Sequence, residues 1–160
     1  IAGATLVGQY LGADDPKGAV MSGWRALGSA IASMILLSGM IALFAREIAG
    51  FLIEDREVVR LTVAFIYIMA LVQPLMAVEF TLGGCLRGAG DTRFPLMATL
   101  IGLCGIRVGL AAIFVLLEFS VEWIYSALLG DYIVKAAMLL VRYKNGKWQQ
   151  TFSDSAQRFA

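Results

Sequence analysis

Four ionisable residues of alternating sign stand in or beside long apolar stretches of this chain: Glu79, Arg107, Asp131 and Lys135. Residues 94–117 are interrupted only by Arg107, and residues 121–141 only by Glu122, Asp131 and Lys135. An ionisable group at mid-depth in a bilayer costs about 2.5–3.5 kcal/mol on insertion scales, so it pairs with another group or serves a purpose. A rise of 1.5 Å per residue gives the levels, counted inward from Arg87, Arg142 and Phe94. Glu79 then lies about 12 Å deep, Lys135 about 10 Å, Asp131 about 16 Å and Arg107 about 20 Å. Opposite charges share levels, Glu79 with Lys135 and Arg107 with Asp131. Asp131 also precedes Lys135 by four residues, the favourable order for an intrahelical pair. Two chemistries suit such a set. The charges can be salt bridges that let a bundle assemble, or they can face a central cavity and exchange protons or bind a cation during transport. For Asp131 and Lys135 the structural reading is favoured, since a partner is in reach; for Glu79 both readings stand.

Gln73 and Pro74 lie about a turn and a half before Glu79. Pro74 cannot donate to the Ala70 carbonyl, which predicts a kink or a bendable point with an unpaired acceptor. A kink, an amide and a carboxylate within two turns suit a gating or ion-binding helix. A static kink that improves packing is as common.

The elements that must carry these residues follow from hydropathy. Residues 26–45 and 61–78 hold no charge at all. A hydrocarbon core about 30 Å thick needs about 20 apolar residues per helix, and each of the four stretches approaches that length. Apolar residues make up 59% of the 160, more than a water-solvated domain of this size could hide, so lipid is the expected solvent. The predicted fold is all-α: a polytopic membrane helix bundle with four full transmembrane helices, about 19–45, 58–86, 94–117 and 121–142, plus the end of a fifth at 1–11. The chain reads as a piece of a longer protein. Ile48–Ile53 is too short to span and reads as an interfacial turn. Gly28, Ser29, Ala32 and Ser33 suit close helix packing. The polar stretch from Arg142 to Ala160 reads as a frayed helix or disordered tail.

Eight Lys and Arg residues (Lys17, Arg25, Arg87, Arg93, Arg142, Lys144, Lys147 and Arg158) fall on one side, against Arg46, Arg56 and Arg60 on the other. That bias predicts that the C-terminus and the 87–93 loop face the cytoplasm. Cys85 and Cys104 read as small buried hydrophobes rather than a disulfide or metal pair. Histidine is absent, the net charge is +1 and no basic stripe exists, so metal, cofactor and nucleic-acid roles are not expected. No catalytic residue, nucleophile–base pair or phosphate-binding loop is found, which argues against an enzyme and against ATP drive. Gly8, Gly12 and Asp14 are echoed faintly by Gly84, Gly88 and Asp91, either by chance or as a shared device for ending helices.

The segment LGGCLRGAGDTRFP at 82–95, preceded by Gln73-Pro74, resembles the second-half signature of multidrug and toxic compound extrusion (MATE) transporters. VGQYLGADDPKGA at 7–19 is similar to the loop after that family's eighth helix, and GIRVGLA at 105–111 to its eleventh. Trp123, Asp131, Lys135, Arg142 and Gly146-Lys147-Trp148 resemble its twelfth helix and tail. The resemblance implies that residues 1–148 form a fragment of the C-terminal lobe of a twelve-helix antiporter, followed by a polar cytoplasmic tail at 149–160. It further implies export of small amphipathic or cationic compounds, coupled to Na+ or H+, in partnership with the lipid bilayer and a missing N-terminal lobe. Aligned through Arg87, the family's tenth-helix acid falls on Met76, and Glu79 is the available carboxylate. Arg87, Gly88, Gly90 and Asp91 read as a cytoplasmic hinge, with Asp91 expected to pair with Arg87 or Arg93. A lipid-linked saccharide flippase of the same superfamily and a structural membrane subunit are the alternatives.

Overall fold

The computed structural model describes residues 1–119 and 121–149. The described residues form helices joined by short turns: α1 (Ala2–Gly12), α2 (Pro16–Leu43), α3 (Ala45–Leu52), α4 (Arg56–Gly88), α5 (Arg93–Leu100), a π-helical segment (Ile101–Arg107), α6 (Val108–Leu116) and α7 (Val121–Lys144). The starts are written in local chemistry. Asp15 accepts from Gly18 N at 2.9 Å and Pro16 opens α2, while Asp55 accepts from Glu57 N at 2.8 Å to open α4. At the far end of α4, Gly90 takes φ 83, and Asp91 N donates back to the Leu86 carbonyl at 2.9 Å, closing the helix with a left-handed glycine.

α4 is the central element: α1, α2, α3 and α7 all pack on it, and the π-helical segment backs α7. The main core gathers at one end of the bundle, where Val7 and Leu11 meet Leu27, Leu82, Leu86 and Leu139. Gly8 and Gly88 let α1 and α4 approach closely; a Cβ on Gly88 would overlap the Ala4 backbone. Ile35, Leu36, Leu43 and their neighbours on α2 stay exposed, a surface suited to a non-aqueous solvent.

Among the described residues, three helices are long and apolar enough to cross a membrane: Pro16–Leu43, Arg56–Gly88 and Arg93–Leu116. The fourth expected span, 121–142, coincides with α7, which has 24 residues and carries Asp131 and Lys135 within its apolar stretch. Some expectations change. Residues 45–52 form a helix rather than a turn, because Ala45 and Ala49 pack against Val63. Gly28, Ser29, Ala32 and Ser33 lie exposed instead of packed, and the Ser29 and Ser33 hydroxyls turn back onto their own helix. Cys104 is exposed, whereas Cys85 is buried; both are free thiols.

The largest correction concerns the residues after Arg142. Trp148 is fully buried, stacks on Tyr143 with ring centroids 5.0 Å apart, and donates Nε1–H to the Tyr143 carbonyl at 2.9 Å. The Tyr143 hydroxyl reaches the Ala19 and Val20 carbonyls, each at 3.3 Å, in space left by Gly23. An aromatic pair with satisfied polar tips gives this segment enough burial to fold. The expected tail beyond residue 149 lies outside the described residues. Trp148→Ala should cost about 3–5 kcal/mol, as truncations of buried tryptophan do. The check is thermal unfolding in detergent; an unchanged transition would mean that Trp148 is not part of the core.

Candidate functional site

Asp131 is fully buried and Lys135 is 4% exposed, both near the middle of α7. The Lys135 Nζ lies 3.0 Å from Asp131 Oδ2 and 3.6 Å from Glu79 Oε1 on α4. It also sits 4.9 Å from the centroid of the Tyr132 ring, a cation–π contact. From the third side, Arg107 reaches Asp131 Oδ2 at 4.0 Å. This last pair is the looser one, because the Arg107 side chain is 39% exposed and water or headgroups can share its charge. Both pairs expected from depth are therefore present, and the intrahelical Asp131–Lys135 pair holds them together.

Pairing does not satisfy the carboxylates. Among the described residues no donor hydrogen-bonds Glu79 Oε2 or either oxygen of Asp131; Lys135 stands at ion-pair distance from Oδ2 but out of hydrogen-bond alignment. Leaving a buried acceptor unmade costs about 1–3 kcal/mol, and more for a charged group. The buried Asp131 and the partly buried Glu79 thus retain coordinating capacity beyond what their bases use. They are hard oxygen donors, the kind that hold a proton or an alkali cation.

The backbone that brings the site together is the π-helical segment. Its i→i+5 pattern is rare and often marks functional positions in helices. Gly102, buried within it, is where α7 comes closest: a Cβ there would collide with Asp131 Oδ1 and the Lys135 stem. The sequence reading missed both features. One signal was available, since counting from Phe94 puts Gly102 about 12 Å deep, level with Glu79 and Lys135.

The other candidates are placed elsewhere. Gln73 lines a separate apolar cleft of about 330 Å³ between α2 and α4, together with Met34, Ser38, Phe65 and Met69. α4 remains helical through Pro74. Asp91 pairs neither with Arg87 nor with Arg93: its Oδ2 accepts from Arg142 Nε at 2.9 Å, and Arg142 Nη2 lies 2.8 Å away. The reason is the Gly90 turn, which aims the carboxylate at α7 while Oδ1 accepts from Phe94 N at 3.4 Å to open α5. The Arg142 guanidinium also lies 5.1 Å over the Phe94 ring. Arg87 stays exposed and folds back toward Gly83. Arg87, Gly88, Gly90 and Asp91 thus end one helix and fasten the next to α7.

Comparison with known proteins adds the lineage. The family model MatE matches residues 1–113. The chain belongs to the MatE family. A probable multidrug resistance protein NorM of Thermotoga maritima is 26% identical, covering 94% of this chain and 32% of its own length. At that coverage the matched region of this MatE-family chain extends over α7. A probable multidrug resistance protein NorM of Mesorhizobium japonicum is 30% identical over 86% of this chain and 31% of its own length. The uncharacterized transporter YisQ of Bacillus subtilis is 25% identical over 91% of this chain. The chain spans about a third of the length of these curated relatives. No solved structure matches. Family and helices together make this a multi-pass membrane protein.

Gly102→Ala should lower stability by about 1–3 kcal/mol, the usual result of forcing a methyl into filled space. Gly109→Ala, on the same span with nothing within 4 Å of its Cβ position, is the control and should not destabilise. Detergent unfolding of both variants checks the close approach; equal transitions would rule it out.

Proposed function

We infer that this sequence is part of a secondary exporter that moves small amphipathic or cationic compounds out by cation-coupled antiport. The observation that carries the reading is the Glu79–Lys135–Asp131 cluster, whose carboxylate oxygens keep unused capacity inside an apolar bundle. Names given to relatives, probable multidrug resistance proteins, support the substrate class. In this reading Glu79 and Asp131 take up Na+ or H+ as coupling ion, and Arg107 and Lys135 balance them. The apolar cleft at Gln73, Met34 and Met69 suits the hydrophobic part of an amphipathic compound, since methionine adapts to varied shapes. A second lobe of the carrier would complete the cavity. The basic side, carrying Lys17, Arg93 and Arg142, would face the cytoplasm of a plasma-membrane protein. The flippase alternative is less well supported, because both intramembrane cations are already engaged by carboxylates.

The test is efflux of ethidium from cells expressing the protein that carries this sequence, with the sodium and proton gradients collapsed in turn. Collapsing one gradient should stop efflux. Glu79→Gln should slow it by about tenfold or more, equivalent to about 1.4 kcal/mol lost from the coupled step. Full efflux in both Glu79→Gln and Asp131→Asn would move coupling out of this segment.

A further inference from the structure

The charge balance of the cluster has a consequence for how any cation enters it. Glu79 and Asp131 supply two negative charges, and Lys135 and Arg107 supply two positive ones, so the group is formally neutral as it stands. An added cation would leave an excess positive charge in a low-dielectric site, where such an excess is costly. One resident cation must therefore give way. Arg107 is peripheral, at 4.0 Å from a single carboxylate and 39% exposed, so its departure frees little. The Lys135 ammonium stands between the two carboxylates, 3.0 and 3.6 Å from them. It occupies the position from which a monovalent cation would touch both.

We propose that Lys135 is a tethered competitor for the cation site: its ammonium holds the place between Glu79 and Asp131 that an incoming monovalent cation takes, and it swings out when the cation enters. The inference rests on the reading of Glu79 and Asp131 as coupling carboxylates. Two features make the displacement physically open. The Tyr132 ring, 4.9 Å from Nζ, provides a face on which an ammonium can rest after leaving the carboxylates. Lysine, unlike arginine, is a compact point charge on a flexible four-carbon stem, able to vacate a site without breaking a bidentate fork. The competitor keeps the two carboxylates in contact with a cation in both states: the tethered ammonium when the site is empty, and the coupling or substrate cation when it is full.

A tethered competitor lowers apparent affinity by the fraction of time that it leaves the site free. Binding of two probes, sodium ion and tetraphenylphosphonium, to the purified protein carrying this sequence separates an inorganic coupling ion from an organic substrate cation. Lys135→Met should tighten binding of the probe that uses the site by about tenfold or more, and Lys135→Arg, whose fork vacates less readily, should weaken it relative to the parent. Because Lys135→Met removes a partner from Asp131, thermal unfolding supplies a second readout. That variant should melt lower without cation and gain more from saturating cation than the parent does. Adding Glu79→Gln to Lys135→Met should abolish the gain. Unchanged or weaker binding in Lys135→Met, with Glu79→Gln still weakening it, would overturn the competitor and leave the coupling carboxylates in place. Indifference of both probes to Lys135, Glu79 and Asp131 changes alike would overturn the cation site itself, and the competitor with it.

Discussion

A carboxylate with no exposed surface, Asp131, stands among helices that have almost nothing else to offer a charge. Much of the arrangement around it follows from that. One helical turn further on, Lys135 comes from the same helix, and it is close enough to bridge to Glu79 on α4. Arg107 approaches from the end of the π-helical segment. The bridge ties α7 to α4 at depth, and the absence of a side chain at Gly102 lets the neighbouring span close over it. Salt bridges of this kind contribute little net stability once desolvation is counted, so their value lies in fixing which helices meet and at what level. The oxygens left without donors are the sign that the cluster is not tuned for stability alone.

A second anchor sits at the end of the bundle where α2 begins and α4 ends. Asp91, Arg142 and Phe94 join the α4–α5 turn to α7, and Tyr143 with Trp148 joins α7 to α2. The main core lies at this same end, whereas the opposite half of α2 presents exposed apolar side chains. Packing is therefore unequal along the bundle, firm at one end and open around the Gln73 cleft at the other.

Much of this was legible in the sequence because membrane helices convert residue number into depth. Counting turns placed Glu79 level with Lys135 and Arg107 level with Asp131, and those are the pairs that form. The helices begin slightly before the expected 19 and 58, because Asp15-Pro16 and Asp55 cap α2 and α4 by local chemistry. What failed depended on angle rather than depth. Asp91 had two arginines nearby in sequence, but the left-handed Gly90 turned it toward a third, Arg142, 51 residues away. The residues after Arg142 look polar by composition, yet burial of Trp148 outweighs that pattern. The π-helical segment has no compositional signature, because the hydropathy of residues 101–107 is the same in either helix type. Its glycines were the only hint.

The central claim is that Glu79 and Asp131 form one site that a cation occupies. The most direct measurement is the cation-induced infrared difference spectrum in the carboxylate-stretching region, recorded for the parent, Glu79→Gln and Asp131→Asn. Adding sodium ion or lowering the pH should shift carboxylate bands in the parent, and each substitution should remove its share of that shift. Identical difference bands in all three proteins would contradict the account and leave the cluster as a structural clamp between α4 and α7.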